Sequence, residues 1–347
     1  MKRIIVLLQI LALIGCGTAK IQQQTTLNPN NGPQGVKGRI ATAPEEVTGN
    51  DVTTNKANTQ FTSPEDIKAI MQFLASDEMK GRDSGSEEIE KAADFIKQVF
   101  VDNGIAPYFE SYRDTLRNFD KTAFNVVGYI QGSDTRLKDE YVILGAHYDH
   151  IGMVSPDNGD AIANGANDNA SGTAMVLELA RYFGKNKNNK RSIIFALFSA
   201  EEKGLMGSKH LASKLSDKDL DLYTTLNFEM VGVPMVDKNH LLYLTGFKLS
   251  NLAEISNKYA GEQLVGFLPK AKEFNLFKRS DNYPFHEAFR VPSQTYSTFD
   301  FTNYGYYHKA GDENSEMDFT HMANVANKLI PMVTGIVNAN NKEIKYN

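Results

Sequence analysis

Tyr141-Val142-Ile143-Leu144-Gly145-Ala146 runs directly into His147-Tyr148-Asp149, and that junction decides the fold. The short apolar run describes a buried strand, and a histidine at its end is a side chain delivered to a sheet edge. Further β-rich runs follow the same pattern at Asn125 to Ile130, Ser192 to Phe198, Thr224 to Phe228 and His240 to Leu244. Helical signals separate several of them. Ser63-Pro64-Glu65-Asp66 opens a helix with a capping serine, an early proline and acids near the positive end of the dipole, and Ile67, Ile70, Met71 and Leu74 form its apolar stripe. A second helix is expected from Ser86 to Val101 on Ile89, Ala93, Ile96 and Phe100, with Asn103-Gly104 ending it. Ala170 to Phe183 and Gly204 to Leu215 read as two more. Strands alternating with helices predict an α/β fold, a mixed sheet covered on both faces.

Metal-type side chains fall where such a sheet binds ligands. His147, Glu201 with Glu202, and Glu229 each stand just past the end of an expected strand, and Asp168 stands at a helix start. His308 completes a set of two histidines and three carboxylates, with one glutamate to spare. A pair of zinc ions and a general base require that inventory, so the chain reads as a metallohydrolase. Asp149, two residues beyond His147, is placed to accept from the second imidazole nitrogen and fix the tautomer. Asp168 lies in the small-residue run Gly165 to Gly172, which lets the backbone approach a site, and a carboxylate there can bridge two cations roughly 3.5 to 4 Å apart. The same Asn-Asp pair would also serve as a helix cap. Of the adjacent Glu201 and Glu202, one can bind metal while the other moves a proton.

Composition bounds the remaining possibilities. With 347 residues, 41% of them hydrophobic, the chain can bury one large core. A formal charge of −5 without basic clusters gives no electrostatic case for nucleic acid. Lys2 and Arg3 precede an apolar run, Ile4 to Ile14, that is too short to span a bilayer and has the form of a secretory signal over residues 1–15. It ends in Leu13-Ile14-Gly15-Cys16, and Cys16 is the single cysteine, leaving no thiol for disulfides or thiolate ligands. This resembles a bacterial lipoprotein box. Lipidation at Cys16 would tether the protein to a membrane of the cell envelope, each buried CH₂ contributing roughly 0.8 kcal/mol. Residues 16–60, rich in Gln, Asn, Thr, Gly and Pro, read as a flexible tether, and 61–347 as the folded domain.

Six ordered stretches carry a family resemblance: Gly145 to His150, Asn164 to Gly172, Phe198 to Gly204, Asn227 to Gly232, Ser280 to Phe285 and Tyr307 to Glu313. Together they resemble the M-28 family of zinc metallopeptidases, which includes secreted bacterial aminopeptidases, glutamate carboxypeptidases and the related glutaminyl cyclases. The resemblance implies an α/β zinc-exopeptidase fold of the phosphorylase/hydrolase-like type, with a central mixed, largely parallel sheet and two zinc ions. It implies that His147 and Glu229 bind one zinc, Glu202 and His308 the other, and that Asp168 bridges them. Glu201 would be the general base and acid, and Tyr307 would hydrogen-bond the tetrahedral oxyanion. The expected activity is aminopeptidase action on peptides.

Two departures stand out. Glu229 occupies a position where many relatives have aspartate, and its extra methylene changes the reach to one metal. Lys309-Ala310-Gly311-Asp312 replaces the usual threonine and proline, leaving Asp312 to support His308. His150, His210, His240, His286 and His321 have no matching motif position and read as surface or structural residues. His286-Glu287 lacks a second histidine at position 290, which is Arg290. Ser280, Asp281 and Tyr283 are expected to line the pocket. A carboxypeptidase or dipeptidase of the same fold would need a basic residue for a free carboxylate, with Arg279 and Arg290 as candidates. A single-zinc glutaminyl cyclase is the other rival, and the absence of tryptophan speaks mildly against it.

Overall fold

Ser63 and Asp66 set the first element by reciprocal capping, each accepting a hydrogen bond from the other's backbone N–H. Helix α1 (Pro64–Leu74) and α2 (Glu87–Asp102, capped by Ser86) bury the expected stripes. The computed structural model describes residues 60–347. The secretory signal, Cys16 and all of the tether before residue 60 lie outside the described residues.

Short strands β1 (Ala106–Pro107) and β2 (Arg113–Thr115) lead to β3 (Phe124–Ile130) and β4 (Tyr141–His147), followed by a hairpin of β5 (Gly152–Asp157) and β6 (Asp160–Ala163). The chain continues through α3 (Gly172–Asn186), β7 (Ser192–Phe198), α4 (Met206–Ser216), β8 (Leu222–Glu229) and β9 (Leu242–Leu244). It ends with α5 (Leu252–Ala260), β10 (Val265–Gly266), α6 (Pro269–Glu273), α7 (Asn282–Phe289), β11 (Ser293–Ser297) and α8 (Phe319–Asn338). Across the main sheet the order is β1, β3, β7, β4, β8, β11, β9, β10, with β2 on β3. Strands β7, β4, β8 and β11 are parallel; β3 and β9 join them antiparallel at the two flanks.

Helices cover both faces, as the doubly apolar strands require. On β7, Ile193, Phe195 and Leu197 join one core with α1, α2, α3, α5 and α8, while Ile194, Ala196 and Phe198 point the other way against Leu211 and Leu215 of α4 and Phe285 of α7. Strand β4 sits at the switch point, because the next strand through α3 is β7 on one side and the following strand, β8, lies on the other. Register aligns the strand ends: His147 is opposite Phe198, and Gly145 opposite Asn227. The donors therefore emerge at one height along one edge.

Three expectations need correction. The helix expected from Ala170 starts at Gly172, and Ala166–Ser171 instead form a wide irregular turn with non-helical Asp168 and Asn169. The helix expected from Gly204 starts at Met206, because Gly204 and Leu205 N–H groups are spent on the Glu201 carbonyl. The strand expected from His240 begins at Leu242.

Candidate metal centre and active site

Two donor clusters share Asp168 at the C-terminal edge of β4, β7 and β8. In one, His147 Nε2 lies 3.2 Å from Asp168 Oδ1 and 3.0 Å from Glu229 Oε1. In the other, His308 Nε2 lies 3.2 Å from Asp168 Oδ2 and 3.1 Å from Glu202 Oε2. All five residues expected from the sequence are thus brought together. The second cluster holds one more member: His150, fully buried, places Nδ1 2.8 Å from Glu202 Oε1 and 3.8 Å from Asp168 Oδ2. Its burial corrects the reading of His150 as a surface residue.

The donor set passes a simple test for a cation. His150 Nδ1 and Nε2, His308 Nε2 and Glu202 Oε1 are buried without a hydrogen-bond partner among the described residues, and each such orphan costs about 1 to 3 kcal/mol. Imidazole and carboxylate donors suit zinc, and a cation between them would satisfy His150 Nδ1, His308 Nε2 and Glu202 Oε1 at once, while His150 Nε2 lies on the far side of its ring.

Each donor is held by its surroundings. His147 Nδ1 donates to the Asp149 backbone carbonyl at 3.1 Å, which leaves Nε2 facing the carboxylates. The Asp149 carboxylate is 3.7 Å from that nitrogen and instead accepts from Ser84 Oγ and from the Glu201 N–H. The tautomer is thus fixed by Asp149, but through its main chain, while its side chain anchors Glu201. Asp312, expected behind His308, accepts from the Asn167 and Asp168 N–H groups at 2.7 and 3.0 Å and from Tyr304 Oη. It positions the shared carboxylate by holding the two backbone N–H groups beside it.

The same turn grips the end of β8. Asn169 donates to the Phe228 carbonyl and accepts from Met230 N–H; Ser171 Oγ and Asn167 Oδ1 accept from Val231 and Gly232 N–H. Glu229 is held between these points, and its second oxygen accepts from Ser280 Oγ, which itself accepts from Asn227. Beneath the site, the fully buried Arg82 donates to the carbonyls of Tyr148, Leu74, Asn164 and Gly165. Ala200 just before Glu201, Met230 just after Glu229, and His308 itself all have left-handed φ, a local cost of order 1 to 3 kcal/mol each, of a kind that clusters at functional sites.

The carboxylates and rings shift one another. Despite its burial, His147 is held well above the ordinary imidazole range by Glu229 and Glu201. Despite partial burial, His308 is raised to about 10 by Asp168 and Glu202. Desolvation pushes the Glu201 carboxyl well above the usual range, with Glu229, Asp281 and Glu202 adding to it against the pull of His147. Burial also raises Asp281, to about 8.

Tyr307 stacks on the His308 ring, with centroids 3.9 Å apart, and on Phe299. Burial and the nearby Asp168, Glu202 and Glu229 carboxylates push its phenol above the usual range. It forms one wall of a cavity of about 70 Å³ that opens beside Glu229 and Ser280, with Met230, Leu276, Phe299 and Phe301 as apolar lining and Arg279 among the lining residues. Of the three residues expected in that pocket, Ser280 lines it, and Asp281 is buried and absent from the lining. Tyr283 lines a separate cavity with His286. Arg290 caps α7 and lines neither.

An α/β domain with histidine and carboxylate donors gathered at the switch point of its sheet defines a metallopeptidase-like class. Residues 125–333 match the sequence profile of Peptidase family M28, more than half of the chain, and the protein belongs to that family. It is 35% identical over 170 residues to aminopeptidase YwaD of Bacillus subtilis, a match covering 49% of this chain and 34% of that protein. The chain thus spans about a third of that relative's length. Its fold is similar to BSAP, a zinc aminopeptidase from Bacillus subtilis, with TM-score 0.62, 17% identity and coverage of 80% and 96% of the two chains. It is equally similar to the glutaminyl cyclase of Fimbriiglobus ruber, with TM-score 0.61, 18% identity and coverage of 79% and 95%. Fold alone does not separate those two chemistries.

Proposed function

We propose that the protein is a zinc-dependent aminopeptidase that removes N-terminal residues from peptides using two zinc ions. The observation that carries this reading is the pair of donor clusters sharing Asp168, with Glu201 beside them: a hydrolase using two cations needs both, whereas a cyclase at a single zinc needs one. When bound, zinc supplies Lewis-acid polarisation of the scissile carbonyl and of water.

The residues divide the remaining work. Glu201, with its raised proton affinity, accepts the proton of the attacking water and returns it to the leaving amine. Tyr307 keeps its phenolic proton and donates a hydrogen bond to the oxyanion as the carbonyl carbon becomes tetrahedral. The apolar lining of the adjacent cavity receives an uncharged side chain. Incubating the zinc-loaded protein with an unblocked peptide that begins in glutamine tests the reading by mass spectrometry. Stepwise loss of N-terminal residues is expected; loss of ammonia alone would establish the cyclase instead. In the Glu201→Gln variant zinc content and fold should persist while turnover falls roughly 10²- to 10⁴-fold.

A second reading keeps one specific support. Arg279 is exposed, lines the cavity beside Glu229, and has no acidic partner within ion-pair distance among the described residues. A guanidinium there would hold the free carboxylate of a dipeptide. A dipeptidase would cleave short substrates and lose them on C-terminal amidation, which an aminopeptidase tolerates.

The membrane tether at Cys16, on the cell envelope of a bacterium, is likewise a proposal, supported by the signal-like run before it. Acylation should add a mass to the N-terminal fragment, and Cys16→Ser should move the protein to the soluble fraction.

A further inference from the structure

We propose that His150 is a fourth protein ligand that closes one of the two zinc positions, so that the protein holds its two ions unequally. The inference rests on reading the site as a metal centre and is independent of which peptide bond is cut. The His150, Asp168, Glu202 and His308 position is saturated by protein atoms; the His147, Asp168 and Glu229 position has three and stays open. Four protein ligands mark zinc sites that serve structure, and three mark sites that leave room for water or substrate.

Several independent features point to His150. Its ring is fully buried, yet Nδ1 has no hydrogen-bond partner among the described residues. Nδ1 is only 2.8 Å from Glu202 Oε1 without being aligned for a hydrogen bond. That combination is expected when lone pairs converge on a shared point rather than on each other. Bond lengths of about 2.0 to 2.1 Å in a tetrahedron put neighbouring ligand atoms roughly 3.3 Å apart. The separations here are 2.8 and 3.8 Å from His150 and 3.1 and 3.2 Å from His308. By contrast, His147 Nε2 and Glu229 Oε1 at 3.0 Å do have hydrogen-bond alignment.

The backbone around the ring is built for it. Gly165, with φ +62°, lies so close that a Cβ would sit 2.6 Å from His150 Cγ and 2.7 Å from Cδ2. Arg82 holds the Tyr148 carbonyl on one side of the ring's segment and the Gly165 carbonyl on the other. The ring is thus clamped with Nδ1 toward the carboxylates. A histidine with only a packing role would place its nitrogens against acceptors or water.

The test is metal retention, read without substrate. The full chain is loaded with zinc, dialysed against rising chelator, and its zinc per chain measured by atomic emission. The wild type should lose one ion first and pause at one per chain; His150→Ala should lose that pause, its tighter site weakened beyond the roughly 10- to 100-fold typical of residues that only support a ligand. His150→Cys, which restores a ligand, should recover the pause, and with cobalt in place of zinc it should show a thiolate-to-metal charge-transfer band that the wild type lacks. Wild type releasing both ions together, identical curves for wild type and His150→Ala, or a His150→Cys protein without the band would overturn the proposal. A protein that binds no zinc at all would instead sink the metal-centre reading beneath it.

Discussion

Arg82 is a buried cation whose partners are four backbone carbonyls from three separate segments, two of them flanking the metal donors. Arg82→Met would strand those carbonyls without donors, and we expect a loss of about 3 to 5 kcal/mol in a denaturant titration, with weaker zinc retention. Nothing in the sequence advertises such a role, because carbonyl acceptors leave no side-chain pattern. His150 was illegible for a related reason: its place three residues past His147 was plain, but which way a ring turns after a strand end depends on Gly165 and Arg82 from elsewhere in the chain. The donors at 147, 168, 202 and 229 were legible because each follows a strand or sits in a small-residue turn, whereas His308 was legible only through the motif it stands in. Glu313 offers a pH test away from the donors. Burial, together with Asp77, Asp160 and Asp312, lifts its carboxyl from 4.5 to about 7, against a hydrogen bond from Asn164. Between those values the unfolded chain releases the proton while the folded protein keeps it, so stability falls as pH rises from 4.5 toward 7. Glu313→Gln escapes that loss, and its melting temperature relative to wild type should climb across this window and level off above it.

At the scale of elements, the turn 166–171 works as a clasp between α3 and β8. Gly172 opens α3 so close to β8 that a Cβ would meet the Phe228 carbonyl oxygen at 2.3 Å. Gly172→Ala should therefore push the helix off the strand, lowering stability by about 1 to 3 kcal/mol and loosening Glu229; calorimetry with parallel zinc analysis would register both. The apolar strands β4 and β7 were readable to within a residue from composition. Strand β11, Ser293-Gln294-Thr295-Tyr296-Ser297, was not, since it is wholly buried yet mostly polar. Its side chains find partners far along the chain: Gln294 donates to the Thr245 and Gly246 carbonyls, Thr295 to Asn282, and Tyr296 pairs with Ser256. Hydrophobic periodicity cannot report a strand whose burial is satisfied by hydrogen bonds.

Across the whole molecule, donors from position 147 to position 308 meet at one point. Ions bound there act as cross-links that the unfolded chain cannot reproduce. Chelation should lower the melting temperature, a ligand at 100 times its Kd being worth about 2.7 kcal/mol, and added zinc should restore it. The route between two of those donors is unusual. From His150 to Asp168 the chain runs out through the β5–β6 hairpin, whose tip at Asn158-Gly159 turns on two positive φ values and is exposed. Both feet are pinned, one through Gly152 against Gly81 and the other through the Asn164 and Gly165 carbonyls on Arg82. The tip is therefore a port for new sequence: a segment inserted at Asn158-Gly159 should leave the pinned feet, and the donors next to them, as they are.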